Sequence, residues 1–204
     1  MILSPIADAD LPQVLETFAR ALPEGSAAAL AFARLRGAVP RDGAIDTPEH
    51  RAAAVALARR LGMATLAEEP AAAFSWDGQV LRTESEAWVI LHEIGHFQTV
   101  PPKRRHLIDF GLGAGPETGC IAEADAACAI DRETGDREEQ IASLLGILWE
   151  VELGQPALLA LQEQNWLEGW NRPGGPAHFA ACMDRLIKLG LVNSQGRPLA
   201  KLRD

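Results

Sequence analysis

Apolar residues recur along this chain at helical spacing, in segments separated by short polar or glycine- and proline-rich breaks. The first part predicts helices over Leu11 to Leu22, Ser26 to Arg36 and Pro48 to Leu61, with breaks at Pro23-Glu24-Gly25 and across residues 37–46. Thr47-Pro48 reads as an N-cap followed by proline at the first helical position, where the missing N–H is not needed. Phe74 to Arg82 (FSWDGQVLR) places an Asp77-Gly78 turn between apolar residues, the pattern of a short hairpin or an extended entry strand. Thr83 and Glu86 then stand at capping-box spacing, and Pro101-Pro102 ends the following apolar run. A helix is therefore expected over Glu84 to about Thr99.

The glycine-rich stretch from Asp109 to Pro116 separates this helix from another expected over Thr118 to Ile130. Asp131 to Asp136 (DRETGD) reads as a surface turn. Helices are expected again over Arg137 to Leu153, Pro156 to Trp170 and Ala177 to Leu189, with Gly154 and Gly190 as C-terminal caps. The tail from Leu191 to Leu199, containing Ser194-Gln195-Gly196, predicts a small hairpin.

Composition agrees with a helical chain. Apolar residues make up 48% of the 204 positions and aromatics only 5%, while alanine, the strongest helix former, fills many segments. The formal net charge of -9 opposes attraction to phosphate backbones and anionic membrane surfaces, so neither nucleic acid nor membrane is expected as a partner. The one dense basic run, Lys103-Arg104-Arg105, is too short to change that. Cys120, Cys128 and Cys182 are too few and too unevenly paired for a disulfide framework, and reduced thiols are expected. Met1 to Asp10 has no export pattern, which places the chain in the cytoplasm as an expectation.

The chemistry concentrates at His92-Glu93-Ile94-Gly95-His96. Histidines four apart on a helix lie on one face a turn apart and can present nitrogens to one ion. In a zinc hydrolase the intervening Glu93 would take a proton from metal-bound water and pass it on. The flanking Trp88, Val89, Ile90, Leu91 and Ile94 are apolar, and Gly95 allows close approach of another element. A third protein ligand is required. Glu123 is the expected one, because the alanines around it would let its helix pack against the HExxH helix. Asp125 is the runner-up, followed by Glu117, Asp109 and His106; Cys120 and Cys128 are softer alternatives. Arg104 and Arg105 are candidates to clamp a substrate carboxylate or to orient Asp109, and Trp88, one turn before His92, to wall the pocket; weighed above these roles, Trp88 is expected in the core and Asp109 paired with one of the two arginines. Trp166 and Trp170 read as a packing stripe, and His50, His106 and His178 as isolated.

HExxH followed by a helix bearing Glu resembles the gluzincin metallopeptidases and their small relatives of the ImmA/IrrE type. A longer likeness spans His92 to Gly111, HEIGHFQTVPPKRRHLIDFG, which resembles the elongation factor P hydroxylase family. It is carried by His92, Glu93, His96, Phe97, Arg104, Arg105, Leu107, Ile108, Asp109, Phe110 and Gly111. It implies a hydroxylase using iron and molecular oxygen on a modified lysine of a translation elongation factor. The first likeness implies instead a zinc peptidase with Glu93 as base, and a metal-stabilised binding module without turnover is a third reading. Two histidines and one carboxylate serve both Zn(II) and Fe(II). The expected fold is mainly α, a single zincin-like helical domain over 1–204, with a short hairpin or small sheet before the HExxH helix. Its expected parts are a helical 1–80, a metal-site core 81–135 and C-terminal helices 136–204.

Overall fold

The computed structural model describes residues 6–38, 45–70, 75–114, 121–167 and 175–204. Eight α-helices and one two-stranded sheet are present among them, so the chain is mainly helical with a small sheet before the HExxH helix. No helix among the described residues is long and apolar enough to cross a membrane. The residues group into two compact units, one of 1–45 and 147–199, the other of 46–146 and 200–204. These units do not follow the expected parts: residues 46–80 belong with the metal-site residues.

The first unit holds α1 (Leu11–Ala21), α2 (Ala27–Gly37), α7 (Ala157–Glu163) and α8 (Gly175–Lys188). Val14, Leu15 and Phe18 form the buried stripe of α1, and Ala28, Ala31, Phe32 and Leu35 that of α2. Phe18 and Phe32 stack with centroids 4.5 Å apart, and Phe179 of α8 meets both edge-on at 5.7 Å. Large rings at helical spacing, buried on alanine-lined neighbours, account for this core. The expected tail hairpin is present as an antiparallel bridge between Val192 and Pro198, held to α2 by Arg34, which donates to the carbonyls of Gln195 and Gly196.

The second unit holds α3 (Pro48–Arg60), β1 (Ala64–Leu66), β2 (Val80–Arg82), α4 (Ala87–Thr99) and α5 (Ile121–Ala127). It also takes the first part of α6 (Arg132–Glu152), whose last turns belong to the other unit. Thr47 caps α3 as expected, accepting from the His50 amide at 3.1 Å. The Asp77-Gly78 turn forms, with Asp77 Oδ1 accepting from the Gln79 and Val80 amides and Trp76 bridging antiparallel to Leu81. The ladder partner of β2 is β1, in parallel register. That pairing is non-local and only three residues long, so no periodicity announces it.

Two helix starts differ from expectation. Glu86 caps α4 without its side chain, and the Ala87 amide is satisfied from a distance by Asp46 Oδ1 at 2.9 Å, while the Thr83 hydroxyl donates to the Leu66 carbonyl instead. The helix of the DRETGD stretch begins well before Arg137. Asp131 accepts from both the amide and the hydroxyl of Thr134, and i,i+4 pairs between Arg137 and Glu133 and between Arg132 and Asp136 follow. A good N-cap and two helix-spaced ion pairs offset the roughly 1 kcal/mol that Gly135 costs in a helix.

Candidate metal centre

Helix α4 buries Ala87, Ile90, Leu91 and Ile94 on one side, partly against α3, and this fixes the direction in which its next face points. That face carries His92 and His96. Helix α6 crosses α4 very closely. A Cβ on Gly95 would overlap the Ala142 carbonyl oxygen, and one on Gly146 would lie 3.0 Å from the Leu91 carbonyl oxygen and 3.1 Å from His92 Cα. Residues 139, 142 and 146 share one face of a helix. The contact of Ala142 and Gly146 with α4 therefore aims Glu139 at the two histidines.

The three donor groups converge. Glu139 Oε1 lies 3.1 Å from His92 Nε2, Glu139 Oε2 lies 3.0 Å from His96 Nε2, and the two imidazole nitrogens are 3.0 Å apart. His92, His96 and Glu139 form a group able to hold a metal ion. Ligands bound to one ion at about 2.0–2.1 Å stand roughly 3 Å from one another. The donor set also calls for a cation on chemical grounds. Each Nε2 carries either a proton or a lone pair, and no assignment of protons satisfies all three contacts at once. The residues present fit a divalent transition metal.

The carboxylate that meets the two histidines is Glu139, not the expected Glu123. Glu123 lies on α5, exposed, and outside this group; only Ala124 of that helix is buried. Ala122 and Ala126 of α5 face solvent, and the helix packs on the Ile108–Gly111 turn, where Ala124 is buried. Asp125 is spent holding the loop, where its Oδ1 accepts from the Ala114 amide at 3.1 Å, and His106 is exposed. Glu117 and Cys120 lie outside the described residues, as does Trp170; Cys128 is a free exposed thiol that donates to backbone carbonyls.

The electrostatics follow from burial and crowding. Burial opposes a charge on His92, but the charge and hydrogen bond of Glu139 outweigh it and raise its pKa to about 9. Partial desolvation opposes the charge on Glu139, and His96 and His92 together hold its carboxyl well below the usual range. Desolvation raises Glu93 to about 7 against the pull of both histidines, and its Oε2 is buried without a hydrogen-bond partner. Exposure rises from 3% at His96 through 20% at His92 to 52% at Glu139, so solvent reaches the group from the Glu139 side.

Phe110 brings the Asp109–Gly111 turn against His96. Asp109, Phe110 and Gly111 all have positive φ, at 46°, 53° and 72°. Two successive left-handed non-glycine residues are strained by about 1–2 kcal/mol each. The Phe110 ring lies on His96 with centroids 5.5 Å apart and an interplanar angle of 22°, and on its other side stacks on Trp76 at 5.7 Å. Asp109, raised by burial, lies in electrostatic reach of His96, Glu139 and His92, not paired with an arginine as expected.

The two arginines expected at a substrate serve the framework. Arg104 is buried and pairs with Glu138, while its other Nη donates to the Phe110 carbonyl at 3.4 Å. Arg105 donates to the Phe97 and Val100 carbonyls at the end of α4 and to the Arg203 carbonyl, and the Arg203 guanidinium donates to the Thr99 carbonyl. Cations thereby satisfy the last carbonyls of the HExxH helix, where its dipole is negative. Trp88 is half-buried, one turn before His92. His178 stacks on Trp166, and Trp166 is itself packed on Phe179, as the packing reading of that tryptophan expected.

Searches of family models, curated proteins and solved structures found no match to this chain.

Proposed function

We propose that the chain is a metal-dependent enzyme with His92, His96 and Glu139 as ligands, and that it is an iron-dependent hydroxylase of a protein side chain. The convergence of the three donor atoms at 3.0–3.1 Å supports the metal. The choice of reaction rests on the likeness to elongation factor P hydroxylases. The residues that carry that likeness are the same ones that build this centre: Phe110 backs His96, Asp109 faces the ligands, and Arg104 and Arg105 fix the loop and the end of α4. A shared string with no role at the site would weaken the reading; this one surrounds it.

Two histidines and one carboxylate leave further coordination positions free, and bound iron would supply the redox chemistry that oxygen activation needs. The protein's own part is to hold the ligands, to place Phe110 as an apolar wall, and to keep Glu93 as a half-buried group able to gain or lose a proton near neutrality. The substrate class, a side chain of a translation factor, follows from the likeness.

A zinc hydrolase is the second reading, favoured by one observation: Glu93 is half-buried, its Oε2 has no hydrogen-bond partner, and its pKa is raised to about 7, as a general base for metal-bound water would be. The deciding experiment purifies the chain without added metal or chelator, measures iron and zinc, and assays Glu93→Gln. Iron, with oxygen-dependent modification of a partner that survives Glu93→Gln, supports the hydroxylase. Zinc, with hydrolysis abolished by Glu93→Gln at unchanged metal content, overturns it.

A further inference from the structure

Glu138 is the neighbour of the ligand Glu139, but it points elsewhere and is 5% exposed. Between Asp131 and Gln140 it is the one buried side chain, so the amino-terminal turns of α6 have a single anchor. Its Oε2 is paired with Arg104 and its Oε1 lies 3.8 Å from Arg203 Nη1. Arg104 reaches both sides of the centre: one Nη holds Glu138 on α6 and the other holds the carbonyl of Phe110, whose ring lies on His96. Arg203 belongs to the C-terminal segment, pinned to α4 through its amide on the Gln98 carbonyl at 3.0 Å and its guanidinium on the Thr99 carbonyl.

We infer that the buried Arg104–Glu138 pair, with Arg203, is the positioning element of the metal centre: it sets the rotation of α6 that brings Glu139 to His92 and His96. The glycine contacts fix how closely the two helices approach. They leave rotation at the far end of α6 to Glu138. A carboxylate about 5–6 Å from a helix axis moves about 1 Å for a 10° rotation. A metal ligand tolerates only about 0.2 Å. The planar fork of Arg104 is needed because it donates in two directions at once, which an ammonium on a flexible stem does not reproduce.

This inference rests on Glu139 being a ligand, and the test separates the two. Cobalt(II) is the probe, with affinity read by chelator competition, the site read by its visible absorption bands, and folding read by urea unfolding of the same samples. Glu138→Gln is expected to weaken cobalt binding about tenfold or more and to shift the bands, and Arg104→Lys to do likewise. The double variant Arg104→Met with Glu138→Met removes both charges, a change that commonly restores stability. It is expected to regain stability while cobalt binding stays weak. Wild-type affinity and bands in a stable double variant would overturn the inference. If the double variant does not fold, Arg203→Ala decides: weaker binding with shifted bands supports the inference, and unchanged binding and bands overturn it. Wild-type cobalt binding by Glu139→Ala would instead overturn the ligand assignment.

Discussion

Three glycines in the helices that build the centre should respond to alanine with different signs. At Gly135 a Cβ meets nothing closer than Ile130 Cδ1 at 3.7 Å, so Gly135→Ala gains helix propensity with no clash and should stabilise the chain by about 0.5–1 kcal/mol. At Gly146 the nearest atoms stand 3.0–3.1 Å away, all of them backbone of α4, and the propensity gain is opposed by a forced adjustment. At Gly95 the new Cβ overlaps the Ala142 carbonyl and lies 3.3 Å from Ala142 Cα. Ordinary carbon contacts of about 3.5–4.0 Å require the helices to part by about 1 Å there. Overpacking of this kind costs about 1–3 kcal/mol, and the propensity gain of about 1 kcal/mol leaves a net loss of about 0–2 kcal/mol, against the gain at Gly135. The same separation carries Glu139 away from the histidines, so metal affinity should fall at least tenfold in Gly95→Ala and stay unchanged in Gly135→Ala. Urea unfolding of the metal-free chains and chelator competition on the loaded ones measure the two effects. Equal stability and equal metal affinity for Gly95→Ala and Gly135→Ala would refute the close crossing of α4 and α6 that aims Glu139.

Other expected outcomes follow from residues other than the ligands. Glu150 is 3% exposed, its Oε1 has no hydrogen-bond partner, and burial holds its pKa well above 4.5. The folded state therefore binds a proton that the unfolded chain releases, and stability falls as pH rises from about 4.5 towards the raised pKa, by up to about 1.4 kcal/mol per pH unit. Glu150→Gln should remove that component, which unfolding free energies of both chains across pH 4 to 8 would show as a shallower decline. Asp131→Ala should cost about 1 kcal/mol by removing the cap of α6, seen as a lowered urea midpoint at unchanged slope; no loss would place the helix start at Arg137 after all. Phe110→Ala should cost about 3–5 kcal/mol, because the ring is fully buried between His96 and Trp76, and a loss under 1 kcal/mol would contradict that stack.

Much of the helical framework was legible because burial at helical spacing and terminal chemistry act locally: Thr47-Pro48 starts α3, Pro101-Pro102 ends α4, and Gly154 and Gly190 follow α6 and α8 with positive φ. The histidine pair was legible for the same reason. The carboxylate that meets them was not, because it lies on another helix and the alanines around Glu123 signal packing and solvent-facing helix equally well. A usable signal was present: Glu139, Ala142 and Gly146 form a stripe of one carboxylate and two small residues on one helix face, complementary to Gly95 between the histidines. The DRETGD stretch, expected as an acidic surface turn, is instead the capped start of α6, where the Asp131 cap and two i,i+4 ion pairs outweigh Gly135. The arginines misled differently. A basic pair after a metal motif reads as a ligand clamp, but here one neutralises a buried carboxylate and the other closes a helix end, and both depend on residues far along the chain, Glu138 and Arg203.

The central claim is that one divalent transition metal binds to His92, His96 and Glu139. Metal content of the wild-type chain, Glu139→Ala and Glu123→Ala, purified side by side without chelator, tests it most directly. About one iron or zinc per chain is predicted in the wild type and in Glu123→Ala, with loss of the metal from a still-folded Glu139→Ala. A full metal complement in Glu139→Ala, or none in the wild type, would contradict it.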